Sequence, residues 1–214
     1  PVMADGPVVV ELFTSQGCSS CPAADEMLHT LAARSDVIAL ALHVDYWDYI
    51  GWADSFADPE HTVRQKRYAN VAGASVIYTP QMIVGGLDHV VGAKPMDVAD
   101  LIQAHAANLT GTRITLQRSG GQLKITGVTS RALRSGTVVQ VIRYSPQETV
   151  DIRRGENAGK TLRYVNIVTD WSSIGEWNGD DDLNITVNTF AKGPLVVIVQ
   201  EPGPGAIMAS AALR

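Results

Sequence analysis

Two cysteines three positions apart are the residues of this chain best suited to chemistry. Cys18 and Cys21 enclose Ser19 and Ser20, precede Pro22, and are the only cysteines among the 214 residues. A pair this close can open and close a small ring reversibly, but it cannot staple distant parts of a chain. The spacing therefore predicts a reactive pair rather than a framework of structural disulfides.

The elements predicted around the pair favour thiolate chemistry. The apolar run at Val8–Phe13 predicts a strand, and Pro22–Arg34 has helical spacing with a proline in the first turn, where its missing N–H costs nothing. Cys18 is then expected at the helix N-terminus, where the dipole stabilises a thiolate, and it becomes the nucleophile. Cys21, one turn into the helix and more covered, is the expected resolving thiol.

The same motif fits two other kinds of site. Two thiolates together with His43 or His89 suit Cu(I) or Zn(II), so the chain is alternatively a copper or zinc binding or delivery protein. A disulfide clip in a non-catalytic, partner-binding protein gives the same letters in the sequence. The motif alone leaves these alternatives open.

The rest of the first half continues to alternate strand and helix patterns. Val37–Val44 is almost entirely apolar, which predicts a strand covered on both faces, as in a parallel sheet. Gln81–Val84 and Leu87–Val91 flank a two-glycine turn, a strong hairpin pattern, and Met96–Leu109 has the spacing of an amphipathic helix. Between these elements, residues 45–75 form an inserted helical and aromatic segment.

The second half has a different character, because short alternating runs are separated by Gly, Pro, Asn and Asp turns. This pattern predicts an antiparallel, β-sandwich-like domain over residues 111–214, after a first domain over residues 1–110. The runs are Ile114–Leu116, Leu123–Thr126, Thr137–Tyr144, Thr161–Thr169, Leu183–Val187, Leu195–Val199 and Ala206–Ala212.

The order of features over about residues 8–109 resembles the thioredoxin-like superfamily. A strand leads to C-x-x-C at a helix start, then a second strand, then Thr79–Pro80 directly before a hairpin and a closing helix. The resemblance implies an α/β thioredoxin-like fold with a glutaredoxin-like core. It also implies that Pro80 is cis and lies beside the dithiol, and that Thr79, Ser19 and Ser20 help to hold the substrate.

Other side chains are candidates for tuning or widening this site. His43 and Asp45 follow the second strand, at the sheet edge where ligands gather, so they are candidates for tuning the thiols. Trp47 and its aromatic neighbours would form a binding wall, or alternatively the core of the inserted segment. The superfamily usually has a buried acid on the strand before the dithiol; here that place holds Leu12, and Glu11 beside it is expected to face the opposite way.

Composition and charge exclude several classes of function. The net charge is -5 and the lysines and arginines are scattered, so no basic face for nucleic acid is expected. The longest apolar run, Val37–Leu42, is far short of the ~20 residues that span a bilayer. Because the chain begins with Pro1 rather than Met, we expect that a signal peptide was removed or that the N-terminus was trimmed.

The whole chain is also similar to a family of exported bacterial thioredoxin-like proteins whose function is not assigned. Together with the absence of other thiols, this resemblance favours a periplasmic or secreted location, with the cytoplasm as the alternative. The expected activity is thiol–disulfide oxidoreduction on protein or small-thiol disulfides, with a redox partner protein. No cofactor is expected beyond the redox-active disulfide itself.

Overall fold

A computed structural model of the chain describes residues 6–189 and 193–214. The helices are α1 (Pro22–Ala32), α2 (Pro59–Val71) and α3 (Pro95–Asn108), with one 3-10 turn at Asp48–Ile50. The strands are β1 (Val8–Thr14), β2 (Val37–His43), β3 (Gln81–Val84), β4 (Asp88–Val91), β5 (Thr112–Ser119), β6 (Gln122–Thr129), β7 (Val138–Asp151), β8 (Thr161–Glu176), β9 (Leu183–Asn188), β10 (Leu195–Gln200) and β11 (Ile207–Leu213).

Proline marks the start of each of these three α-helices, at Pro22, Pro59 and Pro95. A proline in the first turn loses no hydrogen bond, and its fixed φ suits the helix. In α1 this moves the cysteines relative to our expectation. Cys21 is the N-cap residue rather than one turn inside, and Cys18 precedes the helix, where its carbonyl accepts a hydrogen bond from the Cys21 N–H at 3.2 Å.

One eight-stranded sheet runs through most of the molecule in the order β11-β10-β7-β8-β2-β1-β3-β4. At its centre β1 pairs parallel with β2 and antiparallel with β3, which pairs antiparallel with β4. Every residue of β1 and β2 is buried, since helices cover both faces there. Residues of α1 and α3 pack with Val8, Val10 and Leu12, whereas Tyr68 of α2 packs with Val9 and Phe13 on the other face.

The strands of the second half divide between two sheets. β7, β8, β10 and β11 extend the eight-stranded sheet, and β5, β6 and β9 form a separate antiparallel sheet. Leu123 and Ile125 of the small sheet pack with Val139 and Val197 of the large one. The layers are sandwich-like, but the structure differs from the predicted division at residue 110, because one layer belongs to the same sheet as the first half.

The two halves of the large sheet meet at a narrow seam between β2 and β8. Only one residue pair, Ala41 with Ile167, is in parallel register there among the described residues. Beside it, Asn166 has a φ of 48°, a left-handed conformation that asparagine tolerates better than most residues. Its side-chain amide donates a hydrogen bond to the Ala39 carbonyl at 2.8 Å, in place of a backbone donor.

Helix length bears on one further expectation. The longest helix in the described ranges, α3, has 14 residues, whereas a membrane span needs about 20. Within residues 6–189 and 193–214, no helix is both long and apolar enough to cross a bilayer.

Candidate functional site

The two cysteines form a disulfide in the loop between β1 and α1. Their Cα atoms are 5.4 Å apart, and the side-chain oxygen of Ser20 lies 3.4 Å from the Cys18 sulfur. Ser19 and Ser20 are exposed, but Cys18 is 1% and Cys21 0% exposed. We expected Cys21 to be the more covered of the two; the structure buries both almost completely.

The proline singled out in the sequence lies at the same edge of the sheet. Gln81 of β3 is opposite Phe13 of β1, so Pro80 reaches the end of β1 from which the chain continues to Cys18. The peptide bond between Thr79 and Pro80 is cis.

Trp47 connects the Thr79–Pro80 segment with the dithiol loop, residues 15–21 between β1 and α1. Its indole N–H donates a hydrogen bond to the Thr79 hydroxyl at 2.7 Å, and its ring stacks on Tyr49. On its other side it lies so close to Gly17 that a Cβ atom there would stand 3.3 Å from the Trp47 Cβ. The residue before Cys18 and the residue before Pro80 are therefore bridged by one side chain.

A buried acid lies one helical turn beyond the disulfide. The N–H of Asp25 donates to the Cys21 carbonyl at 3.0 Å, and the Thr14 hydroxyl donates to the Asp25 carboxyl at 2.8 Å. The second carboxyl oxygen is buried and has no hydrogen-bond partner in the described part of the chain. Burial raises the pKa of Asp25 to about 7, an effect that His43 and the Thr14 hydrogen bond oppose and Asp54 reinforces.

His43, at the end of β2, contributes a second buried polar group to this region. Its Nδ1 lies 2.7 Å from a carboxylate oxygen of Asp54, and both side chains are fully buried. Within the described ranges, the His43 Nε2 and the Tyr164 hydroxyl are buried without a hydrogen-bond partner. The His43 and Tyr164 rings pack edge to face 4.8 Å apart, and burial raises the pKa of Tyr164.

A loop from the second half covers the dithiol loop. Asn157, in the β7–β8 connection, is fully buried, and its side-chain amide donates to the carbonyls of Gln16 and Cys18, both at 2.9 Å. The neighbouring Glu156 accepts a hydrogen bond from the Ser19 N–H at 3.3 Å. The backbone on either side of Cys18 is thus held by residues far away in the sequence.

Two of the expected tuning residues serve to hold α2 instead. Glu11 is fully buried on β1, where it pairs with Arg64 at 2.6 Å and accepts a hydrogen bond from the Tyr68 hydroxyl. Asp45 accepts a hydrogen bond from Thr62 at 2.6 Å. Both partners of Glu11, and the partner of Asp45, belong to α2, so these carboxylates attach a helix to the sheet.

Residues 6–189 and 193–214 contain no group of three His, Cys, Asp or Glu side chains that could hold a metal ion. His89 is engaged elsewhere: its Nδ1 lies 3.2 Å from the Gln81 amide, and its ring meets Tyr68 edge to face. His43 is committed to Asp54 through one nitrogen.

Comparison with known proteins assigns the chain to a family. Residues 9–200 match the model of a family described as "Protein of unknown function (DUF1223)". The chain belongs to the DUF1223 family. It is similar to a protein of Agrobacterium tumefaciens whose crystal structure was solved as a structural genomics target, with 33% identity, a TM-score of 0.85, and coverage of 100% of this chain and 95% of that one.

A more distant neighbour of this DUF1223 protein shares its fold alone. HBP35 of Porphyromonas gingivalis is 14% identical, with a TM-score of 0.64 over 97% of this chain and 74% of that chain. A search of curated proteins gave no match.

Several side chains of the DUF1223 site were missed in the sequence. Asp25 left a signal, since it follows Cys21 by four positions on a predicted helix and precedes Leu28 on the same buried face. Asn157 left none, because it lies 139 positions from Cys18 and its loop has only turn-forming residues.

Proposed function

We propose that this DUF1223 protein is a thiol–disulfide oxidoreductase with a thioredoxin-like fold. The observation that carries the proposal is a disulfide in the turn before α1 with the half-unpaired carboxyl of Asp25 one helical turn beyond it. A buried carboxyl lacking a partner costs stability, and such groups concentrate where protons are transferred. Thiol–disulfide exchange needs an acceptor for the resolving thiol's proton.

The topology around the dithiol supports the fold named in the proposal. The order β2-β1-β3-β4, with β2 parallel and β3 antiparallel to β1, is the arrangement expected of a glutaredoxin-like core. The cysteines follow the central strand and Pro80 precedes the antiparallel one.

The reaction begins with the reduced protein. The Cys18 thiolate attacks a substrate disulfide, forming a bond between Cys18 and one substrate sulfur while the other leaves as a thiolate that takes a proton from water. Pro80 and Thr79 hold the substrate backbone beside the sulfurs.

Resolution follows within the protein. The Cys21 thiol gives its proton to the Asp25 carboxylate, and the Cys21 thiolate attacks the Cys18 sulfur. The Cys18–Cys21 bond forms and the second substrate sulfur leaves with the electron pair. The substrate disulfide has gained two electrons and the dithiol has lost two, which the dithiol of a redox partner protein restores. The reverse sequence oxidises a substrate dithiol.

The proposed location is the periplasm or the extracellular space, since disulfides persist in oxidising compartments. The proposed substrates are protein or small-thiol disulfides. Because both sulfurs are buried, some covering segment must move before either substrate class reaches them.

Insulin reduction with dithiothreitol as electron donor tests the activity. We expect turnover by the parent, loss of turnover in Cys18→Ser, and no change in Ser145→Ala, whose exposed hydroxyl donates to Glu148 in β7. A parent without turnover, or a Cys18→Ser variant as active as the parent, contradicts the oxidoreductase. Stoichiometric copper or zinc in protein purified under reducing conditions favours the metal alternative instead.

A further inference from the structure

The β7–β8 loop, residues 152–160, contacts the dithiol loop through backbone groups. The Asn157 amide donates to the carbonyls of Gln16 and Cys18, and the Glu156 carboxylate accepts from the N–H of Ser19. The β7–β8 loop therefore provides hydrogen-bond partners for two backbone carbonyls and one backbone N–H at and beside Cys18, the proposed nucleophile.

The backbone of a bound peptide offers partners for the same three groups. A peptide laid along this segment offers N–H donors to the two carbonyls and a carbonyl acceptor to the N–H of Ser19. The primary amide of Asn157 is chemically close to a peptide N–H, and the carboxylate of Glu156 replaces a peptide carbonyl. The loop thus presents side-chain equivalents of a peptide backbone.

The loop is built so that it can leave at small cost. In the loop 152–160, Ile152 at the base and Asn157 are buried, so few apolar contacts fix the part of the loop beyond Ile152 in place. Gly155 and Gly159 flank it with φ values of 77° and 83°, a region that glycine adopts without strain. The Ile152 N–H donates to the Lys160 carbonyl and closes the base of the loop.

We propose that the loop 152–160 is an internal substitute for substrate, and that the segment Gln16–Ser19 is a docking edge for an extended peptide. The substrate's N–H groups replace the Asn157 amide, and a substrate carbonyl replaces the Glu156 carboxylate. The inference rests on the proposed function and narrows its substrates to disulfides in extended segments of proteins.

The test compares Asn157→Ala, Glu156→Ala and a matched control, Asn178→Ala, an exposed asparagine whose amide donates to Asp180 in a distant turn. The reduced proteins react with a disulfide-bridged peptide and, separately, with hydroxyethyl disulfide, which has no peptide bonds. Stopped-flow rate constants are the readout.

We expect Asn157→Ala to react with the bridged peptide about tenfold faster than the parent, because two hydrogen bonds no longer oppose docking. The rate constant for hydroxyethyl disulfide should increase clearly less, since this reagent has no peptide backbone to bind the docking edge. Glu156→Ala should shift the rates in the same direction by about threefold, and Asn178→Ala not at all. An unchanged rate with the bridged peptide in Asn157→Ala overturns the proposal. Equal rate increases for both reagents also overturn it, because they indicate that the loop only blocks access and does not imitate a peptide.

Two measurements keep these outcomes interpretable. Thermal unfolding checks whether Asn157→Ala is folded. If it is not folded, the comparison of Glu156→Ala with the parent is the test, because Glu156 is exposed. Alkylation of the reduced protein by iodoacetamide separates the two proposals, because it needs access but no turnover. Faster alkylation of Asn157→Ala in a protein without insulin turnover rejects the oxidoreductase and keeps the cover, whereas turnover with unchanged alkylation rejects the cover.

Discussion

Asp25 is an acid in a place where a neutral side chain would cost less free energy. The Thr14 hydroxyl satisfies one of its oxygens, and the other is buried without a partner in the described chain. Its neighbours come from three other elements: His43 at the end of β2, Asp54 after the 3-10 turn, and Tyr164 on β8. Burial raises the pKa of Asp25 to about 7, with His43 opposing and Asp54 reinforcing the shift, so its proton exchanges near neutral pH.

Asp25→Asn tests this account through stability. The folded-state pKa of about 7 lies above the ordinary value of 3.8, so the carboxyl favours folding when protonated and opposes it increasingly as pH rises from 3.8 to 7. Relative to the parent, the free energy of unfolding of Asp25→Asn should rise by about 4 kcal/mol over that pH range, and it should not rise further above pH 7. Urea unfolding of the oxidised proteins at a series of pH values measures the difference.

The same variant should slow the resolving step. With no carboxylate to take the Cys21 proton, decay of a mixed disulfide at Cys18 should fall by about 100-fold at neutral pH, and the inflection near pH 7 should disappear. Asp97→Asn, at an exposed position of α3, is the control and should follow the parent in both experiments. A parental pH profile in Asp25→Asn would show that another group accepts the proton.

At the scale of elements, helix α2 is attached to the sheet through a buried ion pair. Both nitrogens of Arg64 that contact Glu11 lie within 2.8 Å of its oxygens, and the guanidinium lies 3.7 Å from the Trp171 ring centre. Tyr68 and Gln200 complete the hydrogen bonds. The pair lies on the α2 side of the sheet, whereas α1 and Asp25 lie on the other.

Removing one member of that pair should destabilise the protein without altering its chemistry. Arg64→Met leaves Glu11 buried and unpaired, and the free energy of unfolding should fall by about 3–5 kcal/mol in urea unfolding. Arg34→Met breaks a surface pair with Asp36 and should cost less than about 1 kcal/mol. A changed dithiol potential in Arg64→Met at unchanged stability would restore Glu11 as a tuning residue.

Local patterns predicted the elements better than their partners. Proline and apolar spacing lie in the sequence next to the helix they predict, so Pro22 indicated α1 and the spacing over Met96–Leu109 indicated α3. The residues that surround the sulfurs depend on which strands become neighbours. Tyr164 and Asn157 arrive there because β8 pairs beside β2, and alternation along a strand defines its faces but not its neighbour.

At the scale of the whole molecule, the main sheet spans the predicted domain boundary, which it crosses at the β2–β8 seam. Strands from residues 138–213 extend a sheet that begins at Val8, and the dithiol cover comes from the same region. The change in sequence character after residue 110 reflects a change from helices to strands. The second half adds a core between the two sheets, but it shares the large sheet with the first half.

Residues 1–110 expressed alone should therefore fail to fold. Without β8, the apolar strand β2 becomes an unprotected edge, which favours aggregation. We expect no cooperative thermal transition and poorly dispersed amide NMR signals, against a single cooperative transition for the full chain. A well-dispersed spectrum with a cooperative transition would show that the first half is an independent domain after all.

Among the described residues, the seam between β2 and β8 has the shortest backbone ladder between neighbouring strands of the large sheet. Along this line the backbone ladder is reduced to one pair, Ala41 with Ile167, supplemented by the Asn166 side chain. Elsewhere the Ile207 N–H donates to the Gly85 carbonyl and Arg64 donates to Gln200, so the two halves are also joined outside the ladder. The strand that would swing away carries Tyr164 and continues directly from the loop holding Asn157. A displacement of β8 from β2 would therefore also move the loop that covers the two sulfurs.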